Sequence, residues 1–175
     1  MSHTYVLLQF GSDPFSFRFE DLEGRPAFTV NERFQVYQNP SVVKATREAE
    51  WSQQHPDIMG PTSAFLYFGP ANTRGYMVYG NGEQISMATH LRQKKEGSPS
   101  RYFTTRTGKE LKWKVSPQKM ECVDGRSTVA VWELSQPEDV FSARLLLKHS
   151  ALNYVTELLT TLILNRMGLA LNWDA

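Results

Sequence analysis

Cysteine occurs once in the 175 residues, which excludes an intrachain disulfide framework and any Cys-based zinc cage. Long apolar runs are missing too, so no segment reads as a transmembrane helix. Neither sign of charge is in excess: 19 Lys and Arg face 18 Asp and Glu. A generically basic nucleic-acid binder is thereby excluded. The opening residues Met-Ser-His-Thr-Tyr-Val-Leu-Leu-Gln-Phe lack the basic n-region and the long apolar core of a signal peptide. Gly is absent from position 2, so no myristoylation signal exists. Together with the single thiol, these absences predict an intracellular protein, cytoplasmic or peripheral at a membrane. Apolar residues make up 41% and charged residues 21%, the balance of a folded domain rather than a disordered chain. The length predicts one domain over 1–175.

Motifs for chemistry are scarce as well. His3, His55, His90 and His149 never pair at metal-ligand spacing, and no His-Glu-x-x-His occurs. They read as surface or loop histidines. Cys122 stands beside Glu121, and an acidic neighbour raises a thiol pKa when a nucleophile needs it lowered. It reads as a buried structural residue. No Gly-x-Ser-x-Gly elbow or phosphate loop is present. Gly80-Asn81-Gly82 reads as a hairpin turn, and Glu20 with Asp21 as a surface pair beside a turn. No catalytic residue, metal ligand or cofactor site is assigned, and the expectation leans away from an enzyme.

What the chain does have is the punctuation of a β protein. Phe15, Phe17 and Phe19 alternate with polar residues, Glu23-Gly24 turns the chain, and 26–30 returns as a second strand. Strands are predicted over 42–47, over 64–68 with both faces buried, and over 76–79. Ala49-Glu50-Trp51 is expected to begin another, and 85–91 to form a strand or one or two helical turns. A polar loop over 92–101 leads into a strand at 101–105. Leu111, Trp113 and Val115 alternate with Glu110, Lys112 and Lys114, which puts the first set inward and the lysines outward. Hairpin strands follow at 119–123 and 128–134, with a last strand over 141–147. The stretch from Ala151 to Met167 holds neither Gly nor Pro. It predicts an apolar helix over 151–167, capped by Ser150 and ended by Gly168, with a short final strand over 169–173. About ten short strands and one apolar helix suit a barrel or sandwich, with the helix in or against the lumen.

The order of these signals resembles a family. Asp21-Leu22-Glu23-Gly24-Arg25-Pro26 is similar to its "D-x-x-G-R-P" turn, and Gly108-Lys109-Glu110-Leu111-Lys112-Trp113-Lys114 to its "G-K-E-Y-K-W-K" signature. Asp124-Gly125-Arg126, Val129-Ala130-Val131-Trp132 and the helix with Glu157 and Thr160-Thr161 continue the pattern. Over about residues 15–170 the chain resembles domain-of-unknown-function family 6593 of mushroom-forming fungi. That family is related in fold to the tubby C-terminal and LURP-one-related domains. The resemblance implies a mostly β protein, an antiparallel tubby-like barrel of about twelve strands around a hydrophobic C-terminal helix. The tubby branch binds phosphoinositides through basic residues on the barrel, but no counterpart of its lipid-binding motif stands out here.

Charge is clustered despite the overall balance. Between Arg92 and Lys119 nine basic residues face two acidic ones, a net of +7 in 28 residues. Arg92, Lys94, Lys95, Arg101, Arg106, Lys112 and Lys114 are the candidate anion- or lipid-binding residues, with Tyr102, Thr104 and Arg106 expected on one polar face. The expected function is binding without catalysis, of an anionic lipid head group or of a protein partner, with nucleic acid disfavoured because Phe103 and Trp113 point inward. The alternative is a small barrel enzyme or small-molecule carrier with a pocket lined by Tyr, His and Trp.

Overall fold

The computed structural model describes residues 4–33 and 42–174. Among them, twelve strands form one antiparallel sheet. In chain order they are β1 (Thr4–Phe10), β2 (Phe17–Asp21), β3 (Pro26–Arg33), β4 (Val42–Arg47), β5 (Ser63–Tyr67), β6 (Tyr76–Tyr79), β7 (Ile85–Ser86), β8 (Ser100–Thr104), β9 (Glu110–Val115), β10 (Lys119–Asp124), β11 (Ser127–Leu134) and β12 (Ala143–Lys148). Two α-helices join them, α1 (Ala49–Ser52) and α2 (Val155–Ala170).

Chain neighbours pair along two meanders, β1 to β7 and β8 to β12, and the β1–β12 pairing joins the two. The edge strands β7 and β8 do not pair with each other, so strand pairing leaves the sheet open. A 3-10 turn over Met87–His90 crosses between them. Just beyond it, Arg92 and Tyr102 exchange backbone hydrogen bonds of 3.3 and 2.8 Å. The result is a barrel-like sheet that strand pairing does not close.

Local chemistry sets the turns. In the β2–β3 hairpin, Asp21 Oδ1 accepts from the backbone N–H of Glu23 and of Arg25 at 3.0 and 2.8 Å. Its Oδ2 accepts from Arg25 Nε at 2.7 Å. Gly24 takes φ +80°, which a side chain would resist. This is the physical content of the Asp-x-x-Gly-Arg spacing. Asp21 is consequently buried, a turn anchor rather than half of a surface pair.

The helix α2 fills the interior. Every residue from Val155 to Asn165 is buried, on all sides of the helix. Inward-facing side chains surround it, among them Leu7, Phe19, Phe28, Leu66, Trp113 and Trp132, each no more than 1% exposed. Burying Thr and Asn is costly unless they are hydrogen-bonded, and they are. Thr160 Oγ1 donates to the Thr156 carbonyl at 2.6 Å, Thr161 Oγ1 to that of Glu157 at 3.0 Å, and Asn165 Nδ2 to that of Thr161 at 2.9 Å. Side-chain cross-links reach the wall as well, among them Trp113 Nε1, which donates to Thr161 Oγ1 at 2.9 Å, and an Arg47 guanidinium nitrogen, which donates to Thr156 Oγ1 at 3.1 Å. No described helix is long and apolar enough to cross a membrane.

Several expectations are corrected. The stretch Thr4–Phe10 forms a strand, β1, for which the sequence analysis has no element. Its inward Gln9 accepts from Trp132 Nε1 at 2.9 Å, which is how a polar residue enters the core. Ala49–Ser52 is helical, with Trp51 turned into the core. β5 has one buried face only. Phe65 and Tyr67 lie outside, where Tyr67 stacks on Tyr76 at 4.7 Å. The 85–91 segment is strand and 3-10 turn together. His149–Tyr154 is a 3-10 turn and α2 starts only at Val155, without a Ser150 cap. Gly168 lies inside the helix rather than ending it, and the Trp173 indole packs over it, where a Cβ would meet the ring at 3.0 Å. Residues 171–173 form a turn rather than a strand. Among the histidines, His90 is core, not surface. His55 is half-buried, His149 pairs with Asp57 at 2.7 Å, and His3 lies outside the described residues.

Candidate anion-binding face

β8 and β9 pair in the register Ser100↔Lys114, Tyr102↔Lys112 and Thr104↔Glu110. Side chains alternate along each strand, so these six share one face. The opposite face carries Phe103, Leu111 and Trp113, all at most 1% exposed. The outward direction of Lys112 and Lys114 therefore follows from the burial of the residues between them. The Arg92–Tyr102 bridge sets Arg92 beside the same face. Lys94 Nζ lies 4.2 Å from the Tyr102 ring centroid and 2.6 Å from Glu110 Oε1.

The charge here is partly neutralised. Arg92 lies 3.5 Å from Glu110 Oε2 and donates to Thr104 Oγ1 at 3.0 Å. The Lys94 hydrogen bond, with the positive charges of Lys94 and Arg92, holds the Glu110 carboxyl below its usual range. On the far side of β9, Glu121 is the register partner of Lys114 and pairs with Lys119 at 3.3 Å. Among the described residues, no ion pair engages Lys95, Lys112 or Lys114. Exposed pairs of this kind are weak, so an incoming anion can compete for Arg92 and Lys94.

The seven candidates do not form one cluster. Arg92, Lys94, Lys112 and Lys114 share the outer face, and Lys95 sits in the loop next to it. Arg101 follows the inward alternation of Phe103. Its side chain is 11% exposed and faces the barrel end where α2 leaves the core. Arg106 is not on the β8 face with Tyr102 and Thr104. It lies in the β8–β9 turn at the other end, where its backbone N–H donates to Glu157 Oε2 at 2.7 Å.

That second end brings together residues that lie far apart in the sequence. A cavity of about 680 Å³ opens there, lined by Tyr79, the Gly80–Gly82 turn and Arg106. Tyr79 is buried, and its hydroxyl has no hydrogen-bond partner among the described residues. Burial, with the nearby Glu157 charge, pushes its pKa well up. Burial likewise raises the Glu157 carboxyl, against the Arg106 N–H, which lowers it. The signal was available: Glu157 is the sole charge between Ala151 and Asn165. Cys122 is buried as expected, and burial pushes its thiol pKa up, with Asp124 adding to the effect. Among the described residues, no three His, Cys, Asp or Glu side chains gather as metal ligands would.

No protein-family model matches the chain, and no curated protein does. A solved structure of a protein from Arabidopsis thaliana is similar at 11% sequence identity, over 96% of this chain and 92% of that one, with a TM-score of 0.40.

Proposed function

We propose that the chain is a non-enzymatic binding module that docks on an anionic membrane surface, phosphoinositide-bearing or otherwise, through the outer β8–β9 face. The observation that carries this reading is the register that sets Lys112 and Lys114 outward in one row, with Arg92 and Lys94 beside Tyr102. The resemblance of the ordered motifs to barrels of the tubby kind supports the same reading. The working surface is narrower than the sequence segment: Arg101 and Arg106 belong to the barrel ends and drop out of it.

Each Lys or Arg close to an anionic leaflet adds about 1 kcal/mol of attraction. Four or five of them separate usable from negligible binding. The test is sedimentation with neutral, anionic and phosphoinositide-bearing liposomes at low and physiological salt. Wild type is compared with a variant carrying Lys94→Glu, Lys95→Glu, Lys112→Glu and Lys114→Glu. Wild type should sediment with the two charged liposomes, less so as salt rises, and the variant should stay in solution. Wild type that ignores all three liposomes at low salt refutes the membrane reading and turns the search to a protein partner. Equal binding by the variant refutes the face.

A further inference from the structure

At the barrel end where α2 leaves the core, two arginines from separate elements close on one carboxylate. Arg74, in the loop before β6, places a guanidinium nitrogen 2.9 Å from Asp174 Oδ1, and Arg101 of β8 places one 2.6 Å from Asp174 Oδ2. We propose that Arg74 and Arg101 form a binding site for a small oxyanion-bearing molecule, a carboxylic acid or a phosphate ester with an apolar body, and that Asp174 occupies it as an internal competitor. This proposal is independent of the outer β8–β9 face.

Arg101 supplies the first argument. Its side chain is 11% exposed, and a guanidinium so far removed from water needs an anion. One of its terminal nitrogens is spent on the carbonyls of Ser98 and Ser100 at 2.6 and 3.3 Å. The other is left aimed at the carboxylate. Arg74 lies over the Trp173 ring, its guanidinium carbon 5.5 Å from the centroid. Two guanidinium nitrogens, one from each arginine, that meet the two oxygens of a carboxylate also suit two oxygens of a phosphate.

The second argument is room. A cavity of about 560 Å³ adjoins the arginines, with Leu91, Val115, Leu169 and Trp173 in its wall. Sites for small molecules span roughly 300–1,000 Å³. The third is that Asp174 can leave without unfolding its surroundings. Its side chain is 55% exposed, whereas Trp173 is fixed separately: its indole N–H donates to the Asn72 carbonyl at 2.9 Å and its backbone N–H to that of Gly168 at 3.0 Å. The Trp173 ring therefore remains as a wall for the ligand's apolar part.

The probes are benzoate and phenyl phosphate, which share the apolar ring and distinguish a planar from a tetrahedral oxyanion. Titration calorimetry is paired with the amide NMR spectrum, in which the Trp173 indole N–H reports the cavity. Asp174→Asn removes the competing charge and should bind at least one probe roughly tenfold tighter than wild type, equivalent to about 1.4 kcal/mol. The Trp173 indole signal should shift on binding. Adding Arg74→Gln, at a side chain 40% exposed, should abolish the gain, and the dispersion of the same spectrum verifies that this variant is folded. Preference for one probe assigns the ligand as carboxylate or phosphate ester. The proposal is overturned if Asp174→Asn binds neither probe, if it binds no tighter than wild type, or if the gain survives Arg74→Gln.

Discussion

Acidification should unfold this protein partly through His90. The imidazole is 5% exposed, with the rings of Tyr79 and Phe103 each 6.1 Å away. Neither ring nitrogen has a hydrogen-bond partner among the described residues. Burial, reinforced by the charge of Arg92 and opposed by the Thr89 backbone, lowers its pKa to about 4. In the unfolded chain it returns to about 6.5. Between these values the unfolded state binds more protons, so stability falls as pH falls through the window and is fully present above it. At 1.36 kcal/mol per pH unit, the gap corresponds to ~3 kcal/mol. Other groups titrate in the same range, so the measurement is a difference between proteins. Urea unfolding followed by tryptophan fluorescence would compare wild type with His90→Phe at about pH 7.5 and about pH 4.5. Whatever the substitution costs at the higher pH, wild type should lose more stability than the variant on acidification, by on the order of 2 kcal/mol. A second variant, His90→Gln, does not titrate and should match the slope of His90→Phe. Parallel loss of stability in wild type and both variants would refute the reasoning.

Two further outcomes test how the polar groups of α2 tolerate burial. Trp113→Phe removes the indole donor to Thr161 Oγ1 and leaves a small void. It should cost about 2 kcal/mol in chemical denaturation, and a cost near zero would show that the helix-to-wall hydrogen bond contributes nothing. Glu157→Gln keeps an acceptor for the Arg106 N–H. Because burial raises the Glu157 pKa, the wild-type contribution is favourable at low pH and lost as pH rises through that raised value. The variant should thus gain stability relative to wild type between about pH 4.5 and about pH 8, and a constant difference across that range would contradict it.

Period-two alternation was enough to orient β8 and β9 from the sequence. Phe103, Leu111 and Trp113 are large and apolar, so burying them forces Lys112 and Lys114 outward whatever the rest of the chain does. The Asp21-to-Arg25 turn was equally legible, because its hydrogen bonds are closed within five residues. The low polarity of 151–167 announced a helix in or against the lumen, and its burial on all sides from Val155 to Asn165 was decided by the tertiary structure. Its true start at Val155 was hidden, since a 3-10 turn and an α-helix share the same local composition. What the sequence could not show was anything that depends on where the strands stop. Arg101 and Arg106 are five residues apart and fall in one basic cluster of the sequence, yet they lie at opposite ends of the barrel. His90 reads as a loop residue because its burial comes from the turn that spans the two sheet edges. Arg74, Arg101 and Asp174 are separated by up to 100 residues and carry no shared motif. Only the curl of the sheet, together with the fold-back of the chain after α2, brings their charges together.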